Sequence, residues 1–290
     1  MKRLDQTAID AAETYVLSSA RVLERHQFAH MFRSGDAEPV LAALAAYRNP
    51  DGGFGNALEP DGRGPGSQPV TVLFALSLLD ELGAVDSPMG RGTLDYLVSI
   101  STEDGGVPFI HPNIRDYPKA WRWAVPETYA GSLLPTGNIA GVLHKNKIDH
   151  PWLDRATEFC WRAVEAMTET SPYEALAAVG FLDNVPDRDR AAEHAERVGK
   201  IVRDGGVVAL AGESGDVMYP HTFAPRPDGV ARAWFTDEEM EISLDKLVDL
   251  RGEDGAWPVP WEVWTPAVEF EWRPVITIGA LATLRAYGRL

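Results

Sequence analysis

Apolar residues recur along this chain at three- and four-residue steps. Over 71–82 (TVLFALSLLDEL) and 94–100 this spacing gathers them on one face of an α-helix. The same reading holds over 8–32, 40–47, 152–167 and 276–287. No long stretch alternates apolar with polar as a half-buried strand would. Two helix starts carry capping boxes, Ser171 with Glu174 and Thr236 with Glu239. Each pairs a hydroxyl with a carboxylate three residues on.

A short signature punctuates these helices. It reads Asp51-Gly52-Gly53-Phe54-Gly55, Asp104-Gly105-Gly106-Val107-Pro108-Phe109, Asp204-Gly205-Gly206-Val207 and Asp254-Gly255-Ala256-Trp257-Pro258. The segments lie one, two and one periods of roughly 50 residues apart, with a degenerate unit expected near His150-Pro151-Trp152. Glycine supplies the left-handed backbone that ends a helix, so each unit reads as helix, Gly-rich turn, helix. Six such hairpins cannot bury their apolar faces alone, but they can by stacking sideways. The expected fold is therefore all-α: one (α/α)6 toroid domain over 1–290. Its inner helices would line a central cavity and its turns would gather at the mouth.

A chain of 290 residues is near the upper limit for one hydrophobic core. Its 45% apolar and 24% charged residues exclude a disordered or fibrous protein. The longest apolar run, 70–79, stops at Asp80 and Glu81, too short for a membrane span. MKRLDQTAID shows no signal-peptide core, and a cytoplasmic protein is expected. The formal charge of −16 repels phosphate backbones, which excludes nucleic acid as a partner. A single cysteine, Cys160, excludes an internal disulfide and any Cys-rich zinc site. His26 and His30 lie one helical turn apart without a third ligand nearby, so no metal is expected. Phosphate-binding Gly loops are absent, and no cofactor is expected. Nine tryptophans are unusual for this length and point to aromatic packing around a ligand.

The repeated Asp-Gly-Gly-Phe-Gly and Asp-Gly-Ala-Trp-Pro segments resemble the repeats of squalene and other triterpene cyclases and of protein prenyltransferase β-subunits. NPDGGFGNALEPD with SQPVTVLFAL, HPWLDRA and EWRPVITIGALATLRAYGR resemble bacterial single-domain proteins grouped with those repeats. The resemblance spans most of the chain. It implies the toroid and a mainly apolar, isoprenoid-like substrate, but toroids of this kind host unrelated functions. The catalytic signatures of these families do not carry over. Class II cyclases protonate an alkene with Asp-x-Asp-Asp, and Asp183-Asn184-Val185-Pro186-Asp187 does not match; it reads as a connecting loop. Thr236-Asp237-Glu238-Glu239 only imitates the magnesium motif of class I synthases and reads as a capping box. Cys160 has no Asp-x-Cys pattern around it and reads as a small core residue.

Four irregular segments hold the remaining chemistry. Glu59-Pro60-Asp61-Gly62-Arg63-Gly64-Pro65-Gly66 brings two carboxylates and a guanidinium onto a loop too rich in Gly and Pro to be helical. Glu59 and Asp61 are candidate acid and base, with Arg63 as a substrate contact or as an ion-pair partner of Asp61. The stretch 110–123 interrupts the period, and its Arg115, Lys119 and Arg122 alternate with Trp121 and Trp123. These residues suit an anion held against aromatic walls, or a packed rim. Trp257, Trp261 and Trp264 among three prolines suit an apolar, sugar-like or cationic ligand. Glu269 and Glu271, read as extended, would point the same way and work as a carboxylate pair. Trp272 and Arg273 read as the latch between last and first repeats, with Arg273 bridged to Glu271. In Asp216-Val217-Met218-Tyr219-Pro220-His221, Tyr219 and His221 are candidates for proton transfer.

The function these readings favour is acid-initiated cyclisation or rearrangement of an apolar small molecule. Glu59 or Asp61 would donate the proton, and Glu269 or Glu271 would accept the last one. Trp121, Trp261 and Trp264 would stabilise positive charge. The alternatives are a carbohydrate-active (α/α)6 hydrolase or lyase, and a non-catalytic toroid that binds a lipid or a protein.

Overall fold

A computed structural model describes residues 1–210 and 217–290. Asp216 lies outside the described residues. Among them the chain forms twelve α-helices and two short 3-10 turns, with β-bridges only as isolated pairs. The helices are α1 (Gln6–Ser19), α2 (Val22–Phe32), α3 (Ala37–Ala45), α4 (Pro69–Glu81), α5 (Pro88–Ile100) and α6 (Leu133–Lys145). They continue with α7 (Pro151–Ala166), α8 (Pro172–Leu182), α9 (Arg188–Asp204), α10 (Pro220–Phe223), α11 (Asp237–Asp249) and α12 (Pro266–Ala286).

Capping chemistry sets the starts. Both capping boxes form: Ser171 Oγ accepts the Glu174 amide at 3.2 Å, and Thr236 Oγ1 accepts the Glu239 amide at 3.2 Å. Proline, which gives up no needed donor in a first turn, opens α4, α5, α7, α8, α10 and α12. The helix expected over 8–32 is instead two. Ala20 and Arg21 are extended, and Ser18 Oγ donates back to the Tyr15 carbonyl at 3.0 Å, a local alternative to continued helix.

The chain divides into two compact units. The first comprises Met1–Ala46, Pro225–Pro227 and Phe235–Leu290; the second comprises Tyr47–Ala224 and Asp228–Trp234.

In the second unit α4, α6, α8 and α10 follow one another side by side, and α5, α7 and α9 form a second row against them. Gly137 and Gly141 of α6 lie against the backbone of α8. A Cβ at Gly137 would sit 2.8 Å from the Ala177 carbonyl oxygen, so larger residues would force the helices apart. Leu76, Leu79, Leu97 and Phe181 are fully buried here, each stabilising by about 1.5–3 kcal/mol through burial. Cys160, inside α7, is buried and its thiol is pushed well up by loss of water, as an inert core residue would be.

In the first unit α12 packs on α1, α2 and α11, while α2 packs on α1 and α3. The two ends of the chain are joined there by Arg289. This buried guanidinium reaches Asp245 Oδ1 at 2.6 Å, the Lys2 carbonyl at 2.7 Å and Glu241 Oε2 at 2.8 Å.

Three of the four Gly signatures fold alike. The amides of Asn49, Thr102 and Gly252 donate to the carbonyls of Gly53, Gly106 and Ala256 at 2.9, 2.9 and 2.7 Å. Asp51, Asp104 and Asp254 each accept the amide two residues on. Between them Gly52, Gly105 and Gly255 take φ of 86°, 94° and 90°, each pressed on the backbone of another helix: α5 at Gly92, α7 at Arg155, α1 at Ala11. The fourth differs. After α9 the left-handed residue is Gly206 (φ 67°), and no described residue comes within 4 Å of the point a Cβ would take. The degenerate unit is also displaced from its expected place. His150 is the N-cap of α7, accepting the Trp152 amide at 3.2 Å, and the corresponding connection is 167–171, which has no glycine.

Candidate functional site

Two sequence clusters that are far apart in the chain form one structure in the second unit. Gly62 and Lys119 pair as an antiparallel bridge. The Arg63 amide donates to the Pro118 carbonyl at 3.0 Å, and the Ala120 amide donates to the Asp61 carbonyl at 2.8 Å. The loop carrying Glu59, Asp61 and Arg63 is thus zipped to the segment carrying Trp121, Arg122 and Trp123.

Gly62 is what allows this approach, since the buried Trp123 indole occupies the space a Cβ would need. Trp123 Cη2 lies 2.8 Å from that point and Ile114 Cδ1 2.9 Å. Phe109 meets Trp123 edge to face at 6.0 Å between ring centroids. Asp61 is only 6% exposed, and its amide donates to Glu59 Oε2 at 2.9 Å.

The loop is also strained. Asn56 and Ala57 both take left-handed φ, 56° and 59°. A non-Gly residue there costs on the order of 1 kcal/mol or more, and such strain is found at functional sites. A polar network beneath holds it. Asn49 Nδ2 donates to the Pro65 carbonyl at 2.9 Å and to Ser67 Oγ at 3.0 Å, and Ser67 Oγ donates to Asp51 Oδ1 at 2.7 Å. Tyr96 Oη donates to the Ser67 carbonyl at 2.8 Å, and burial pushes its phenol well above the ordinary value. Gln68, buried at the start of α4, bonds Asn113 through Nε2 and accepts the His111 amide through Oε1 at 2.8 Å.

Not every expected site residue joins this cluster. Trp121 is 73% exposed and so walls no closed pocket; the Arg122 guanidinium lies over its ring at 5.5 Å. Lys119 does not offer a free charge for an anion, because its ammonium donates to the carbonyls of Arg115 (2.7 Å) and Tyr117 (3.1 Å). His221, buried on the short α10, stacks on Tyr219 with ring planes 11° apart and centroids at 5.4 Å.

The third aromatic cluster belongs to the first unit. Trp257 is core rather than a ligand wall: it is 1% exposed and donates its indole N–H to the Leu247 carbonyl at 2.7 Å. Trp261 and Trp272 meet nearly perpendicular at 5.1 Å. Glu269 and Glu271 are not a converging pair. Both lie in α12, where residues two apart diverge by about 200° around the axis. Arg273 does latch last repeat to first, by way of Asp254 (2.8 Å) and the face of Tyr15 (4.6 Å).

Sequence reading missed Gln68, Asn113 and the buried Glu24. Glu24 sits in the first turn of α2 at 1% exposure, paired with Arg21 Nη2 at 2.5 Å. Its three-residue spacing from Arg21 was the available signal.

No family model and no curated protein matches this sequence. Among solved structures the chain is similar to the type II terpene cyclase MstE from Scytonema in its apo form. The TM-score is 0.60 and the identity 14%, over 98% of this chain and 99% of the other. It is similar at TM-score 0.59 and 14% identity to an MstE variant in complex with its substrate, geranylgeranyl dihydroxybenzoate, over 98% and 97% of the two chains. A third, an MstE variant in complex with its product, merosterolic acid A, matches at TM-score 0.55 and 13% identity, over 97% and 96%. At this identity the likeness shows the fold, and that fold is the all-α, terpene cyclase-like one expected of an α/α toroid.

Proposed function

We propose that this protein is a terpene cyclase-like enzyme that protonates an apolar, isoprenoid-like substrate, with Asp61 as the proton donor. The observation that carries this reading is the likeness, over nearly the whole of both chains, to a type II cyclase whose structures hold a geranylgeranyl substrate and a product. The zipped loop supports the choice of acid. Asp61 is the buried carboxylate of that loop, and the adjacent Gly62 rests on the Trp123 indole.

In this mechanism Asp61 transfers its proton to a terminal alkene carbon, and the π pair becomes the new C–H bond. The neighbouring carbon is left as a tertiary cation. The next alkene attacks it to close a C–C bond, and the final cation loses a proton to water, so substrate and product are isomers. An electron-rich aromatic face such as that of Trp123 stabilises developing positive charge by about 0.5–2 kcal/mol. Asp61 takes its proton back from solvent.

The test is incubation of the purified protein with squalene, geranylgeranyl diphosphate, geranylgeraniol and geranylgeranyl dihydroxybenzoate, with products read by mass spectrometry. Cyclised isomers of at least one substrate are expected, with about a hundredfold loss or more in Asp61→Asn. Unchanged substrates throughout acid and neutral pH would overturn the reading.

A further inference from the structure

The segment between the last Gly turn and α12 contains a feature that packing does not explain. The side-chain nitrogens of Trp261 and Trp264 are buried, and neither has a hydrogen-bond partner among the described residues. Trp257, a few residues earlier, shows the ordinary solution, with its N–H donated to a main-chain carbonyl. A buried donor left without an acceptor costs about 1–3 kcal/mol, so two within four residues are a standing cost that an incoming acceptor would remove.

The surroundings define that acceptor. The rings are aromatic walls, Trp261 standing perpendicular to Trp272, so the body of the ligand is apolar. The charges of the stretch 257–273 are Glu262, Glu269, Glu271 and Arg273, and Arg273 is engaged by Asp254. With three carboxylates to one guanidinium in this stretch, on a chain of net charge −16, a carboxylate or a diphosphate is disfavoured. A neutral oxygen, such as that of an alcohol, a phenol or a ketone, meets no such penalty and accepts an indole N–H well.

We infer that the Trp261–Trp264 segment is a binding site for the neutral oxygen function of an otherwise apolar ligand, held by the two indole N–H groups. It deepens the proposed function only in naming an oxygenated isoprenoid as the ligand class, and it is tested by binding rather than turnover.

The experiment uses the full chain labelled with 15N at the indole nitrogens and titrated with geranylgeraniol, geranylgeranyl diphosphate and squalene. Geranylgeraniol is expected to move the Trp261 and Trp264 indole resonances downfield, as new hydrogen bonds do. It is also expected to bind more tightly than either other probe. Replacing either tryptophan by benzothienylalanine keeps the ring shape and removes only the N–H. Each replacement is expected to weaken geranylgeraniol binding by about three- to tenfold while leaving squalene binding unchanged. Resonances that stay put under saturating alcohol, or replacements that weaken alcohol and hydrocarbon alike, would overturn the inference. Tight alcohol binding with no turnover of any of the four substrates would sink the cyclase reading and leave this site standing. Turnover of squalene with silent indoles would do the reverse.

Discussion

The carbonyl of Asp61 accepts the amide of Ala120 at 2.8 Å, and through this bond the only strongly buried acid of its loop is positioned by a segment of different sequence character. Main chain rather than side chain makes the connection, so its integrity rests on how closely the two backbones approach. Gly62 sets that distance.

Gly62→Ala is therefore expected to cost about 1–3 kcal/mol in urea unfolding, because the new methyl must displace the Trp123 ring or the Ile114 side chain from a closed packing. Any cyclase activity should fall in the same variant. Gly83→Ala is the control: its φ of 63° strains an alanine, but the methyl would meet open space. That variant should lose about 1–2 kcal/mol and keep its activity. Equal loss of activity in both would detach the zipped loop from function.

The repeat, the helices and the caps were legible in the sequence because each depends on local chemistry: three-to-four spacing, a glycine at a left-handed position, a hydroxyl with a carboxylate three residues on. What escaped was set by tertiary partners. Nothing in 59–66 or 110–123 announces that they pair, since a two-residue bridge has no periodicity. In an extended segment Glu269 and Glu271, two apart, would point the same way. Thr265 instead caps a helix there, accepting the Val268 amide at 3.3 Å, and the carboxylates part. Trp257 shared the look of its neighbours Trp261 and Trp264. Full burial and the Leu247 carbonyl, supplied by α11, separate core from candidate site.

Trp257 and Trp121 should accordingly respond in opposite ways. Trp257→Ala empties a fully buried site and is expected to cost about 3–5 kcal/mol. Trp121→Ala removes a ring that is mostly in water and should change stability by less than about 0.5 kcal/mol. Chemical denaturation of both variants checks this, and a costly Trp121→Ala would mean that the ring is covered in solution.

Acid should loosen the first unit. The Lys2 amide, with Arg289 and the N-terminal charge, holds the Asp245 carboxyl below its ordinary value. Burial pushes Asp254 upward, but the hydrogen bonds from Arg273 and from the Ala256 amide outweigh it and leave that carboxyl lowered too. A carboxyl lowered on folding contributes stability that is complete above its unfolded pKa, about 3.9, and is lost as pH falls through the folded value. The urea midpoint should thus be level from neutral pH to about 5 and decline below about 4. In Asp245→Asn the neutral-pH midpoint should be lower and the acid decline shallower. An unchanged slope would show that other groups carry the acid sensitivity.

Two of the Gly turns share a further motif. Beyond the Gly signature, the Val107 amide donates to Thr136 Oγ1 at 3.0 Å in α6, and the Trp257 amide donates to Thr277 Oγ1 at 3.1 Å in α12. Both threonines are buried, so water cannot replace the hydroxyl. Threonine to valine keeps the outline of the side chain and removes the hydroxyl, leaving one buried amide unpaired in each case and ending the bonds that Thr136 Oγ1 donates to the Val107 carbonyl (3.4 Å) and Thr277 Oγ1 to the Arg273 carbonyl (2.7 Å). Thr136→Val and Thr277→Val are each expected to cost about 1–3 kcal/mol. The cost should also be local. Hydrogen exchange should quicken at Val107 in the first variant and at Trp257 in the second, without crossing over, because the two bonds lie in different units. Faster exchange at both amides in either variant would mean that the two units open together.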